Sequence, residues 1–134
     1  MTSSNQLKIA LSDVARQAKE WFEQRTTPYA AEDFHGKGRL SDSGRGAVYV
    51  YFDAESRALY VGLTKRRVKA RLYDQTSPHK QKPWFAEMKS MRFIQLENDM
   101  DRQILEFLLI LAYGPKNNEK PRAVRPDELF LDYA

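Results

Sequence analysis

AVYVYFDAESRALYVG, residues 47–62, is the stretch whose reading decides the fold. Ala47–Phe52 and Ala58–Gly62 are runs of β-branched and aromatic residues, and the polar segment DAESR between them marks a β-hairpin with a slightly long loop. If Phe52 pairs with Arg57 across a four-residue loop, Tyr49 stands directly opposite Tyr60. Both phenols then share one face of the sheet.

Downstream, Thr64 is placed to cap a helix through KRRVKARLY, and QTSPHKQKP, with two prolines, reads as a polar loop. PWFAEMKSM holds a short helix at most. MRFIQLE (Met91–Glu97) has the composition of a third strand, and Asn98 can cap a helix starting at Asp99 that ends at Gly114 and Pro115. Upstream, Leu7, Leu11, Val14, Ala18, Trp21 and Phe22 recur at three- and four-residue steps, which predicts an amphipathic helix with Ser3 or Ser4 as its cap. Residues 25–45 mix Gly, Pro, Ser and charge and read as a connector, with Tyr29 and Phe34 as possible anchors. In the tail, Leu129, Phe130 and Leu131 are suited to docking on the domain surface. The expected class is α+β: a small three-stranded antiparallel sheet flanked by helices, with an extra N-terminal helix. Residues 1–45 form the helix and connector, residues 46–134 the domain with its tail, and the whole is one compact unit.

A chain of 134 residues with 42% hydrophobic content has material for one core, hence one site. Its formal charge of +4 favours polyanionic partners without requiring them. There is no cysteine, which excludes disulfides, thiolate zinc sites and a cysteine nucleophile. The start MTSSNQLKIALSD lacks a signal peptide's features, and no apolar run approaches the roughly 18 residues of a membrane span. The reading is a soluble, cytoplasmic protein.

Glu106 is the residue hardest to place, because ILEFLLILA surrounds it with apolar neighbours. A carboxylate there needs a compensating cation, such as a divalent metal, or else a narrow exposed strip or a structural arginine. Lys65, Arg66, Arg67, Lys69 and Arg71 place five cations in seven residues. On a helix they spread around the circumference, so most are solvated or touch phosphates non-specifically. Arg71, near the helix end, is the one suited to clamp a phosphate. His35 and His79 lack metal-ligand spacing, and there is no P-loop, HExxH helix or Ser/His/Asp set.

Taken together these residues resemble the GIY-YIG nuclease superfamily. The first signature is similar to Ala47-Val48-Tyr49, with alanine for the family's glycine, and the second to Tyr60-Val61-Gly62. The hairpin looks most like the nuclease domain of the bacterial excision-repair endonuclease. Arg71 matches the family's arginine, Glu106 its metal-binding glutamate and Asn118 its asparagine. Leu63 occupies a place where members often carry a polar residue.

The resemblance implies a DNA endonuclease using one Mg²⁺ or Mn²⁺ ion. Glu106 would bind the metal, Tyr49 or Tyr60 would activate water, and Arg71 would hold the phosphate. Asn118 would contact DNA or orient Glu106. Gly62, Lys65, Arg66, Arg67 and Lys69 would lie along the substrate. Duplex or branched DNA is the implied partner, with a homodimer or a targeting protein possible, in a bacterial or phage-like setting. The alternative is a catalytically weakened nucleic-acid-binding module of the same fold.

Overall fold

The computed structural model describes residues 2–30, 46–65 and 83–118. Helix α1 spans Thr2–Gln24, strand β1 Tyr29–Ala30, β2 Ala47–Phe52 and β3 Ala58–Thr64. A 3-10 turn at Pro83–Glu87 precedes β4 (Ser90–Gln95) and helix α2 (Asp99–Tyr113). The sheet is antiparallel in the order β1-β4-β2-β3. Among the described residues it has four strands rather than the expected three, because Tyr29 and Ala30 of the connector pair with Met91 and Ser90. Helix α1 already includes Ser3 and Ser4, so neither caps it. The expected helix after Thr64, the segment Phe34–Arg45 and the tail lie outside the described residues.

Strand alternation sorts the sheet's side chains into two cores. Val48, Val50, Phe52 and Val61 face α1 and α2, where they meet Phe22, Leu105, Leu109 and Ile110. Tyr49, Tyr51 and Met91 point to the other face, with Leu59 and Met88. All six residues of β2 are buried, as a central strand covered on both faces must be.

The hairpin departs from its expected register. Phe52 pairs with Ala58 and, across a bulge, Tyr51 pairs with Tyr60 and Tyr49 with Gly62. The cause lies in the loop. Asp53 N–H donates to the Arg57 carbonyl at 3.0 Å and Ser56 N–H to the Asp53 carbonyl at 3.0 Å, while Ser56 takes φ 62°. This is a three-residue turn with a left-handed last position. The Asp53 carboxylate braces it, accepting from the backbone N–H of Arg57 and of Glu55, both at 2.9 Å. Those bonds, Arg57's first, hold its carboxyl below the usual range.

Helix α2 starts and ends where its sequence says. The Asn98 side chain accepts from Asp101 N–H at 3.0 Å, a cap worth about 1 kcal/mol. Gly114 closes the helix at φ 54°, its N–H donating to the Ile110 carbonyl at 3.0 Å, a conformation glycine adopts at little cost.

Candidate active site

The two signature tyrosines do share a face, although they are not opposite one another. Tyr49, Tyr51 and Tyr60 form a tilted three-ring cluster, with centroids 5.0 Å apart for Tyr49 and Tyr51, 6.2 Å for Tyr49 and Tyr60 and 6.0 Å for Tyr51 and Tyr60. Tyr49 is 1% exposed and Tyr60 half-buried. Tyr51 was passed over in the sequence, though its two-residue step from Tyr49 signals the same face.

Gly62 makes the cluster possible. It stands opposite Tyr49 in the ladder, and a Cβ at this position would lie 2.6 Å from the Tyr49 phenol oxygen, 2.7 Å from its Cζ and 2.7 Å from Tyr60 Cε2. Carbon contacts normally sit near 3.5–4.0 Å, so the phenols occupy the space that any side chain would fill.

Asn118 holds the same strand from outside. Its side-chain oxygen accepts from Val61 N–H at 2.8 Å and its amide donates to the Val61 carbonyl at 2.9 Å. Just before it, Lys116 N–H donates to the Ala58 carbonyl and Asn117 N–H to that of Leu59, at 3.2 and 2.9 Å. Residues 116–118 thus run along the β3 edge, and Asn118 mimics a strand partner between Tyr60 and Gly62. Asn118→Ala strips Val61 of two hydrogen bonds and is expected to cost about 1–3 kcal/mol. Denaturant unfolding should read the loss, and amide exchange should quicken first at Val61.

Glu106 is half-buried on α2. The described helix does have a wet face, occupied by Asp101, Gln103 and the exposed Met100 and Ile104. Glu106 lies off it, one turn from buried Arg102 and one from buried Ile110. Arg102 is spent elsewhere: its guanidinium donates to the Leu96 and Glu97 carbonyls at 2.6 and 2.9 Å and to Asp99 at 2.9 Å. It pins the β4–α2 corner, a role that sequence reading missed because a first-turn arginine reads as solvated.

The remaining candidates divide simply. Lys65 is exposed at the end of β3, and Arg66, Arg67, Lys69 and Arg71 lie outside the described residues. Leu63 packs towards the helices with its partner Val48, on the face away from the phenols. Ala47 is a buried strand residue and needs no positive φ. Among the described residues no three His, Asp or Glu side chains gather as a metal cluster, and no helix is long and apolar enough to cross a membrane.

Comparison with known proteins fits this geometry. A family model described as the UvrC-like GIY-YIG domain matches residues 45–119, which begins just before β2 and ends just after Asn118. UvrABC system protein C from two strains of Porphyromonas gingivalis is 32% identical over 73 residues, which is 52% of this chain and 12% of the relative. The chain therefore spans about an eighth of the length of these relatives. No solved structure matches the chain significantly. With the signature hairpin, the Asn118 brace and the helix of Glu106 all inside the matched span, the chain belongs to the UvrC-like GIY-YIG domain family, a family of nuclease domains.

Proposed function

We propose that the protein is a divalent-metal-dependent endonuclease that hydrolyses DNA phosphodiester bonds inside the cell. The observation that carries this reading is the closure of Tyr49 and Tyr60 over Gly62, two phenols held against a bare strand within a nuclease-family span. The packing that buries Tyr49 in the core also sets it against Tyr60. It brings acid–base groups to one place.

Glu106 is the residue that would hold the metal. One half-buried carboxylate, in no cluster of three or more metal-ligating side chains among the described residues, suits Mg²⁺, which keeps most of its waters and takes one or two protein carboxylates. When bound, the ion would supply charge stabilisation at the scissile phosphate and a lower pKa for water. Tyr60, the more accessible of the two tyrosines, is assigned to orient the attacking water and, in its phenolate form, to take its proton. Tyr49, buried beneath it, fixes the ring. Asn118 acts as a positioning residue, since its amide keeps Val61, and so Tyr60 and Gly62, in place. Arg71 is assigned to clamp the phosphate, with Lys65, Arg66, Arg67 and Lys69 along the DNA backbone.

The test is incubation of the purified protein with end-labelled duplex, branched and single-stranded DNA, with and without Mg²⁺, and mapping of the ends. Metal-dependent cuts with defined termini are the expected result. Salt-sensitive binding with no product under any condition would instead support the weakened binding module.

A further inference from the structure

At the turn end of the hairpin, away from the phenols, α1, α2 and the sheet enclose a cleft of about 590 Å³. That volume falls in the range of small-molecule sites. Lys19, Arg57, Arg92 and Lys116 line it against two carboxylates, Glu23 and Asp53, among the described residues. Both acids are engaged within the protein. Glu23 accepts the Tyr113 phenol at 2.6 Å, and Asp53 is held by the loop and by Arg57 Nε at 3.1 Å.

The walls are fixed before any ligand arrives. Arg92 donates to the Glu23 and Thr26 carbonyls at 3.2 and 2.8 Å and to the Thr26 hydroxyl at 3.0 Å, tying α1's end to β4. Tyr113 packs edge-on to Phe52, with centroids 5.6 Å apart. Burial, with the bond to Glu23 second, raises the phenol's pKa well above its usual range, so it stays neutral. Lys19 Nζ lies 4.8 Å over that ring, and Lys116 meets Glu87 at 3.9 Å, with both side chains more than half exposed. A cationic mouth over an aromatic floor is the chemistry that takes a phosphate joined to a flat ring.

We propose that this cleft binds a nucleoside phosphate unit, with Lys19 and Lys116 as its phosphate contacts. The unit comes either from a nucleic-acid strand or from a free nucleotide. The strand source rests on the nuclease reading, because Leu59 and Lys116 border both the cleft and the braced β3 edge that carries Tyr60. The free source does not depend on it. Lys19 and Glu23 belong to α1, outside the residues 45–119 of the family match, so the N-terminal helix supplies one wall of the cleft from beyond the matched span.

The experiment compares the full chain with its Lys19→Gln/Lys116→Gln double variant, both in EDTA. Anisotropy of a labelled duplex is read from 50 to 200 mM salt, and amide shifts are followed with deoxyadenosine monophosphate and with inorganic phosphate. For the strand source, the variant's log–log salt slope should shrink by about one to two, since each neutralised phosphate contributes about 0.9. For the free source, the mononucleotide should shift the amides of Ala58, Arg92 and Tyr113 saturably in the parent and not in the variant. An unchanged slope together with cleft amides that respond to neither small ligand overturns the proposal. If the parent neither binds DNA here nor cuts it when Mg²⁺ is supplied, the nuclease reading fails, and the mononucleotide titration alone decides the cleft.

Discussion

Glu106→Gln protein is expected to fold like its parent and to cleave DNA at least about 100-fold more slowly, the scale of losing one electrostatic contact to the developing charge. Glutamine keeps the shape of glutamate while removing the charge. Glu106 is half-buried beside Leu105 and within one turn of Ile110. Metal binding separates the two proteins. A ligand at 100 times its Kd stabilises the folded state by about 2.7 kcal/mol, so Mg²⁺ should raise the parent's melting temperature and leave the variant's where it was. Parent-like cleavage by the variant, or an equal Mg²⁺ shift in both proteins, would remove Glu106 from the metal site.

The element types were legible in the sequence because local signals agreed with the global fold. Asn98 and Gly114 bound α2 as capping chemistry requires, and the valine and tyrosine alternation of β2 matches its two cores. The register was not legible. Its error came from counting the turn as four residues when Asp53 and Ser56 fold it into three, with a bulge between Tyr51 and Phe52. At Tyr49 the displacement totals two residues, from Tyr60 to Gly62. A slip of one would have sent the phenols to opposite faces, whereas a slip of two keeps the face and changes only the neighbour. The shared face was thus readable from alternation, while the reason for Gly62 was not. Strand β1 escaped for a different reason: two residues carry no period, and Tyr29 and Ala30 become strand only because β4 offers an edge. Arg102 and Arg92 escaped because a buried arginine is defined by the carbonyls it meets, which lie in other segments.

The corrected register makes Gly62→Ala the most telling change in the hairpin. On strand geometry alone the substitution should help, since alanine restricts the unfolded chain and stabilises by about 0.4–1 kcal/mol where it fits. Here it does not fit. The new Cβ would meet Tyr49 Oη at 2.6 Å and both Tyr49 Cζ and Tyr60 Cε2 at 2.7 Å, so the rings must retreat by about 1 Å to reach ordinary contact. Tyr49 is 1% exposed and wedged against Tyr51, which leaves it little room in a close-packed core. Overpacking of this kind costs about 1–3 kcal/mol and outweighs the entropic gain, so the variant should melt lower than the parent. Cleavage should fall further than stability, because a misplacement of about 1 Å at reacting groups can cost about 100-fold. Adding Tyr49→Phe removes the closest contact but leaves the other two. The double variant should therefore regain part of the lost stability and little of the lost rate. Parent-like melting and turnover in Gly62→Ala would mean that the rings yield freely and that their closure over the strand does not set the chemistry.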